Sequence, residues 1–244
     1  MATFVLVHGA WRGSWCWKRV RKALQARGHD VFTPTLTGVA ERSHLLSPDV
    51  NLEMHIEDIV NLIRWEELSQ VILCGHSYAG CVVGGVADRI PDRIGALVYL
   101  DAFLLEDGQS LHDTLPEFQR NLQVETAMRE GEGWKVSPIP AEAFNVNADD
   151  REWVNRQCTV QPLATFQQAI KLSGKGNRVK HTTYILATDF EDSPFPAFYE
   201  QAKTKGWKTL TIQSGHDVML DRPEELTRVL LDVAEAQEPA HGMA

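Results

Sequence analysis

Residues 71–80 read Val-Ile-Leu-Cys-Gly-His-Ser-Tyr-Ala-Gly, an apolar run that ends in a small-residue turn around one serine. The apolar run favours a buried strand, and residues 81–87 (CVVGGVA) favour a helix that can pack closely on a sheet. A serine on such a strand-to-helix turn is typical of a nucleophile elbow, which exposes the hydroxyl at the end of a sheet. Gly75 and Ala79 flank Ser77 with the small side chains that this turn needs, although Ala79 replaces the usual glycine. The alternative, a serine that only caps a helix, does not account for the flanking strand and small-residue helix together.

Further apolar runs on both sides of the elbow predict an alternating α/β architecture. We predict strands over residues 3–7, 31–34, 96–101, 181–188 and 207–212, and helices over residues 14–27, 52–65 and 195–205. This alternation predicts a mostly parallel central sheet with helices on both faces. Ligands of such sheets bind beyond the carboxyl ends of the strands, where the pattern puts both Ser77 and Asp101.

The loop after the first strand, residues 8–13 (HGAWRG), is a candidate for part of an oxyanion hole. Acyl transfer needs two backbone N–H groups aimed at the developing negative charge, one from an early loop and one from the residue after the nucleophile. Ala10 and Tyr78 are the two candidates.

Residues 106–180 interrupt the alternation with several prolines and short helical pieces, such as residues 149–157 and 163–172. A segment of this length between strands is better explained as a cap with its own helices than as a structureless loop. The predicted organisation is therefore a core of residues 1–105 and 181–236, an inserted cap of residues 106–180, and a tail of residues 237–244.

Of the nine histidines, only His216 follows the last predicted strand with a glycine before it. A serine hydroxyl needs a histidine base to remove its proton and a carboxylate to orient that imidazole. His76 adjoins Ser77 in sequence, and we expect its side chain to point away from the hydroxyl. His216 is therefore the predicted base.

The chain resembles the α/β-hydrolase fold over nearly its whole length, through residues 8–10, the elbow and Gly215-His216. Residues 4–11 (FVLVHGAW) and 15–17 (WCW) resemble the methyl esterase and hydroxynitrile lyase branch, especially its bacterial esterase members. This resemblance implies a serine nucleophile, a small helical cap and no cofactor. It also implies substrates of modest size, such as methyl esters or related carbamates.

The acid of the expected triad has two candidates. The resembling plant esterases take it from the loop after the strand that precedes the histidine, where this chain has Asp189, Glu191 and Asp192. Other α/β-hydrolases, the haloalkane dehalogenases among them, take it from the position of Asp101, 24 residues after Ser77. We favour Asp101, because a carboxylate at the end of an apolar strand needs a charged partner, and keep Asp189 as the alternative.

Two other functions remain open. The resembling hydroxynitrile lyases split cyanohydrins with a threonine beside the oxyanion loop and a lysine after the histidine, positions at which this chain has Gly9 and Asp217. Those substitutions disfavour a lyase, since they remove a hydroxyl donor and a positive charge. A non-catalytic relative that only binds a small ligand could keep Ser77 and His216, and Trp11 and Phe103 suggest an apolar binding slot in either case.

Composition narrows the class of partner. The net charge of −9 and the pI near 5.5 disfavour nucleic acid and anionic membranes, which need clustered Lys and Arg. The four cysteines form neither a disulfide pattern nor a metal-binding spacing, and residues 1–7 resemble a first strand rather than a signal peptide. We therefore expect a cytoplasmic protein with a small-molecule substrate and no metal or cofactor, and leave open whether it forms a homodimer.

Overall fold

The computed structural model describes residues 1–237, so the predicted tail of residues 237–244 lies, except for Gln237, outside the described residues. Within that range the strands are β1 (Thr3–Val7), β2 (Asp30–Phe32), β3 (Val71–His76), β4 (Ile94–Leu100), β5 (Lys135–Val136), β6 (Gln161–Pro162), β7 (His181–Ala187) and β8 (Lys208–Ile212). The helices are α1 (Lys18–Gln25), α2 (Leu52–Trp65), α3 (Ala79–Arg89), α4 (Glu117–Glu130), α5 (Arg151–Gln157), α6 (Ala164–Gln167), α7 (Phe195–Thr204), α8 (Val218–Asp221) and α9 (Pro223–Glu235).

The predicted central sheet is present and has six strands in the order β2-β1-β3-β4-β7-β8, all paired in parallel. In this order β3 lies between β1 and β4, with Gly75 opposite both Val7 and Tyr99. The loop after β1, the elbow after β3 and Asp101 after β4 therefore emerge side by side. The neighbouring β7 and β8 end close by, which brings the segment that carries His216 to the same edge.

Side chains of the central strands alternate between two buried layers. Val5, Val7 and Leu73 face the layer that contains α2, α3 and α7, whereas Phe4 and Leu6 face α1 and α9. A parallel sheet covered on both faces needs strands that are apolar at successive positions, and all six residues of β3 are buried. The strand that leads to Ser77 is therefore buried along its whole length.

The segment predicted as a cap, residues 106–180, has several helices and strands, and its end packs on α3, where Asp88 accepts from the Ser173 N–H at 2.7 Å. It contains α4, α5, α6 and the short antiparallel pair of β5 and β6. The indole N–H of Trp11 donates to the Val136 carbonyl at 3.1 Å, and the Trp11 backbone N–H donates to the Gln161 side chain at 3.2 Å. The loop after β1 thus holds the cap through both β5 and β6.

Two predicted helices differ in extent from the observed ones, and one observed helix was not predicted. The helix predicted over residues 14–27 begins as a 3₁₀ turn, Ser14–Trp17, and becomes α-helical only at α1. The helix predicted over residues 163–172 ends at Gln167, because Ile170 instead exchanges backbone hydrogen bonds with the loop at Gly108 and Gln109. The longest cap helix, α4, was not predicted, since its sequence has little amphipathic character.

Two further features concern the helices and the cysteines. No helix within residues 1–237 is long and apolar enough to cross a membrane. The four cysteines are all free thiols, and three of them (Cys16, Cys74 and Cys81) are buried in the two core layers. Buried thiols of this kind pack as small apolar side chains.

Candidate active site

The elbow carries Ser77 in a left-handed backbone conformation, with φ of 55°. Backbone hydrogen bonds hold this conformation, because the Ser77 N–H donates to Leu100 at 3.2 Å and its carbonyl accepts from the Phe103 N–H at 3.2 Å. A non-glycine residue keeps such a conformation only where its surroundings fix it, and such sites are often functional. Ser77 is half-buried and lines a cleft under the cap.

The glycines around Ser77 are there because the helix passes very close to the sheet. A Cβ on Gly75 would lie 2.6 Å from the Ala79 carbonyl oxygen, and one on Gly80 would lie 2.2 Å from the Phe103 carbonyl oxygen. Both distances are far shorter than any real Cβ contact. Ala79, the departure from the usual motif, is accommodated in full burial.

Ala10 and Tyr78 both line the cleft beside Ser77. No hydrogen bond from either backbone N–H is found within residues 1–237. Tyr78 directly precedes α3, so its N–H lies at the positive end of the helix dipole. The two donors predicted from the sequence are therefore adjacent to the serine and suited to an oxyanion.

Buried histidines fix the loops that carry these donors. His8 accepts a hydrogen bond from the Leu36 N–H at 3.0 Å on Nε2 and donates from Nδ1 to the Gly9 carbonyl at 2.8 Å. His55 donates from Nε2 to the Thr37 carbonyl at 2.8 Å and accepts from the Tyr78 hydroxyl at 2.9 Å. Burial lowers the pKa of His8 to about 3, so this histidine is neutral at physiological pH and holds a single tautomer.

His216 and Asp101 meet at the carboxyl edge of the sheet, with His216 Nδ1 2.6 Å from Asp101 Oδ2. Asp101 is fully buried, and its other oxygen accepts from the Ala187 N–H at 3.1 Å. The left-handed φ of 43° at Asp101 turns the chain sharply where β4 ends. An imidazole whose Nδ1 is bound in this way presents Nε2 as the free base.

Asp189, the alternative acid, lies half-buried at a different place in the loop after β7. Its carboxylate accepts a 3.4 Å hydrogen bond from Thr188, and its backbone carbonyl accepts from the Asn145 side chain at 2.7 Å. No hydrogen bond joins Asp189 to His216. Of the two carboxylates left open by the sequence, only Asp101 contacts the histidine.

Aromatic rings surround the imidazole of His216. Phe195 stacks on it with centroids 4.9 Å apart, and Phe144 and Phe190 lie at 5.0 and 5.1 Å. Burial lowers the pKa of His216 below its ordinary value and raises that of Asp101 above its own. A neutral imidazole is therefore available as a base at physiological pH.

His76, which we expected to point away from the serine hydroxyl, donates from Nε2 to the His216 carbonyl at 2.9 Å. Its ring lies 4.4 Å from that of His216. The His216 N–H in turn donates to the Phe144 carbonyl at 2.9 Å. Gly215 permits this approach of the cap, since a Cβ there would lie 2.1 Å from the Asn145 carbonyl oxygen.

A buried ion pair lies beside the histidine and was not predicted from the sequence. The Arg12 guanidinium donates to both carboxylate oxygens of Asp217, at 2.7 and 3.2 Å. Burial alone would raise the pKa of Asp217, but the charge and hydrogen bonds of Arg12 reverse this and lower it to about 2. The sequence did contain a signal, because an arginine two residues after Ala10 and an aspartate directly after His216 put opposite charges next to the predicted site.

The cleft has a volume of about 540 Å³ and lies between the edge of the sheet and the cap. Ser77, His216, Trp11 and Phe103 all line it, together with Phe144, Phe166 and Phe195. One stripe of α4 lines the cleft with polar side chains, namely Gln119, Gln123, Thr126 and Glu130, and Ser137 and Asp192 add two more. The cleft is thus mostly apolar and of a size suited to a small organic molecule.

Within residues 1–237 no group of three or more His, Cys, Asp and Glu side chains could hold a metal ion. The expectation that neither a metal nor a cofactor takes part stays a prediction.

Comparisons with known proteins identify the family of the chain. The model of the family described as "Alpha/beta hydrolase family" matches residues 4–229. The chain is 48% identical over 241 residues to a carbendazim hydrolyzing esterase from Nocardioides sp. (strain SG-4G), covering 94% of this chain and 98% of that one. It is 31% identical to a putative methylesterase 14, chloroplastic, from Arabidopsis thaliana, covering 95% of this chain and 72% of the relative.

Among solved structures, an extracellular alpha/beta-hydrolase from a Paenibacillus species superposes with a TM-score of 0.83 at 23% identity, covering 96% of this chain and 99% of the other. That likeness concerns the fold. The family match spans nearly the whole chain and confirms the predicted α/β-hydrolase fold. The protein belongs to the alpha/beta hydrolase family.

Proposed function

We propose that the protein hydrolyses small carboxylic esters and carbamates through an acyl-enzyme on Ser77, with His216 as base and Asp101 as the acid that orients it. The enzyme is a carboxylic ester hydrolase of the serine type. The observation that carries this proposal is the 2.6 Å contact between His216 and Asp101, in the cleft that Ser77 also lines. The similarity to an esterase at 48% identity supports the same reaction class.

In the acylation step, Nε2 of His216 takes the proton of the Ser77 hydroxyl while the oxygen attacks the substrate carbonyl. The N–H groups of Ala10 and Tyr78 stabilise the negative charge on the former carbonyl oxygen. The imidazolium then gives its proton to the leaving alkoxide, and a small alcohol such as methanol departs. Asp101 stabilises the positive charge that His216 carries between these two transfers.

In the deacylation step, His216 removes a proton from water, which attacks the acyl or carbamoyl carbon. The bond to Ser77 breaks, and the serine oxygen recovers the proton from the imidazolium. An ester gives a carboxylic acid. A methyl carbamate gives a carbamic acid, which decarboxylates to an amine and carbon dioxide without further help from the enzyme.

The lining of the cleft favours an apolar or aromatic acyl part. Phe103, Phe144 and Phe166 supply aromatic surface around Ser77, which suits flat rings. On the opposite wall, His112 Nε2 donates to the Gln123 side-chain oxygen at 2.8 Å, which leaves the amide nitrogen as a donor. A substrate with a hydrogen-bond acceptor remote from the scissile bond would use that donor, as a heteroaromatic carbamate could.

The cyanohydrin lyase alternative is disfavoured by the space around Gly9. A Cβ at this position would lie 2.9 Å from His76 Nδ1 and 2.9 Å from the Ser77 Cβ. The threonine that the resembling lyases use there would displace the histidine or the serine. Asp217, in turn, is committed to Arg12 and supplies no positive charge for a leaving cyanide.

The test is a hydrolysis screen of the purified protein with methyl esters, aryl esters, methyl carbamates of aromatic amines, and lactones. The Ser77→Ala variant serves as the matched control, since it removes one oxygen from a half-buried residue and leaves the fold intact. We expect turnover of at least one ester or carbamate and a loss of several powers of ten in the variant. Ligand binding without turnover of any substrate would favour a non-catalytic relative, and a variant with a tenth of wild-type activity would exclude the serine mechanism.

A further inference from the structure

The Arg12–Asp217 pair is an almost fully enclosed ion pair. The side chains are only 3% and 0% exposed, and the guanidinium binds both carboxylate oxygens. The remaining guanidinium nitrogen donates to Cys158 Sγ at 3.2 Å, and the Arg12 Cζ lies 5.2 Å from the Phe144 ring centroid. Taking both charges out of water costs several kcal/mol for each ion, which good geometry only partly offsets. Apolar residues of similar size would serve stability as well.

The pair joins the two segments that the reaction needs. Arg12 lies two residues after Ala10, in the loop that offers an oxyanion donor. Asp217 directly follows His216, and its carbonyl accepts the N–H groups of Leu220 and Asp221 at the start of α8. Arg12 does not line the 540 Å³ cleft. It borders a cavity of only about 10 Å³ beside Ser77 and His216, which is too small for a substrate, so Arg12 acts on the reaction through the groups that it holds.

We infer that Arg12 and Asp217 are positioning residues, which fix the oxyanion loop relative to His216 and keep the electrostatic potential at the imidazole balanced. The inference rests on the proposed function. The distances in the pair make it a clamp between loops 205 residues apart in sequence. A bidentate guanidinium fixes orientation as well as distance, which a single hydrogen bond does not.

Four ionisable groups face the imidazole of His216. Asp101 follows β4, His76 ends β3, Asp217 adjoins His216 itself, and Arg12 comes from the loop after β1. The anion of Asp217 favours the imidazolium and the cation of Arg12 opposes it. Since the two partners carry opposite unit charges side by side, their effects on His216 largely cancel. Removal of either partner alone exposes the effect of the other.

This cancellation predicts opposite shifts in the pH profile. The acid limb of kcat/KM reports protonation of the free enzyme's base. In Arg12→Met the unpaired Asp217 should raise the apparent pKa of this limb, and in Asp217→Asn the unpaired Arg12 should lower it. One unit charge at this range should give a displacement of about 0.5 to 1.5 pH units. The double variant carries neither charge, and its limb should return close to that of the wild type.

The clamp itself predicts a loss of turnover. In all three variants the oxyanion loop and His216 lose their fixed relation, and misplacement by about 1 Å can cost a hundredfold in rate. We expect kcat to fall about tenfold to a hundredfold with KM nearly unchanged. The double variant should show the lowered kcat despite its restored pH profile.

The matched control is the Arg19–Asp150 pair, which links α1 to the cap. Two guanidinium nitrogens of Arg19 donate to the two carboxylate oxygens of Asp150, at 2.6 and 2.7 Å. The Arg19→Met variant should lose some stability. The acid limb of its kcat/KM profile should stay at the wild-type pH, and its kcat should stay within about twofold of the wild type. The inference is overturned if both single variants shift the acid limb in the same direction or if neither shifts it. It is also overturned if these variants lose no more turnover than Arg19→Met does. If the single variants do not fold, the double variant decides, and a kcat within twofold of the wild type would overturn it. Failure of the proposed function is distinct, because the wild type itself would then hydrolyse nothing.

Discussion

Asp101 Oδ2 lies 2.6 Å from His216 Nδ1, although 115 residues separate the two in the chain. The contact depends on the strand order, since β4 and β7 are neighbours and β8 follows at the edge. Asp101 leaves the end of β4 in a left-handed turn and accepts the Ala187 N–H from the end of β7. This relationship decides which carboxylate we expect to assist the base.

Asp101→Asn should lower turnover by about a thousandfold or more, because an amide cannot stabilise the imidazolium and can hold the wrong tautomer. The matched control is Asp189→Asn, which changes a half-buried carboxylate with no contact to His216 and should cost little. Loss of the anion should also move the acid limb of the pH–rate profile of Asp101→Asn to lower pH. Kinetics under saturating substrate decide between them, and near-normal turnover in Asp101→Asn with collapse in Asp189→Asn would reverse the assignment.

The free energy of unfolding should fall on acidification from about pH 6.5 towards pH 3. Burial lowers the pKa of His8 and of His76 to about 3, whereas an unfolded chain binds these protons near pH 6.5. The unfolded state therefore holds more protons in this window, and stability rises with pH across it. Asp101, with a pKa raised by burial, acts in the opposite sense, but the lowered pKa of His216 offsets it.

The folded pKa lies about 3.5 below the unfolded pKa for each histidine, which corresponds to about 5 kcal/mol of unfolding free energy below pH 3 and to about 2 kcal/mol at pH 5. Even the smaller value is a large share of the stability of an ordinary domain. Urea unfolding at pH 7.5 and pH 5 measures the effect. The His8→Gln variant should lose less stability between these two pH values than the wild type does, while His44→Gln, at an exposed position, serves as the surface control. Equal stability of the wild type at both pH values would contradict the account of the buried histidines.

Gly9→Thr should abolish hydrolysis without creating a cyanohydrin lyase. The new Cβ would lie within 2.9 Å of both His76 Nδ1 and the Ser77 Cβ, so the elbow or the His76 contact to His216 must shift. Gly84→Ala is the milder control, since its Cβ would meet only the Tyr99 hydroxyl, at 3.3 Å. Assays of ester hydrolysis and of cyanide release test this, and cyanide release by Gly9→Thr would show that the lyase geometry is accessible after all.

Local sequence patterns were sufficient for the parts of the site that depend on one turn. Gly75 and Gly80 indicate the elbow, because α3 packs so closely on the sheet that neither position has room for a Cβ. His216 could be predicted as the base because it lies in the loop after the last strand, β8. The expected position of Ser77 at the carboxyl edge of the sheet required only the alternation of strands and helices.

The remaining features depend on contacts between distant segments, which periodicity does not encode. The choice between Asp101 and Asp189 needs the order of β4, β7 and β8 in the sheet. The rings of Phe144, Phe190 and Phe195 reach His216 from the cap and from the segment after β7. The sequence of residues 163–172 is compatible with a longer helix. The short α6 ends early because Ile170 forms backbone hydrogen bonds with Gly108 and Gln109 instead.

The most direct measurement is the mass of the protein quenched within seconds of mixing with an aryl carbamate or aryl ester, followed by peptide mapping. A covalent intermediate predicts a mass increase equal to the acyl or carbamoyl group, located on Ser77, and decaying at the rate of turnover. The Ser77→Ala variant should show neither the added mass nor turnover. Steady hydrolysis with no added mass at any quench time, or with the label on another residue while Ser77→Ala remains active, would contradict the account.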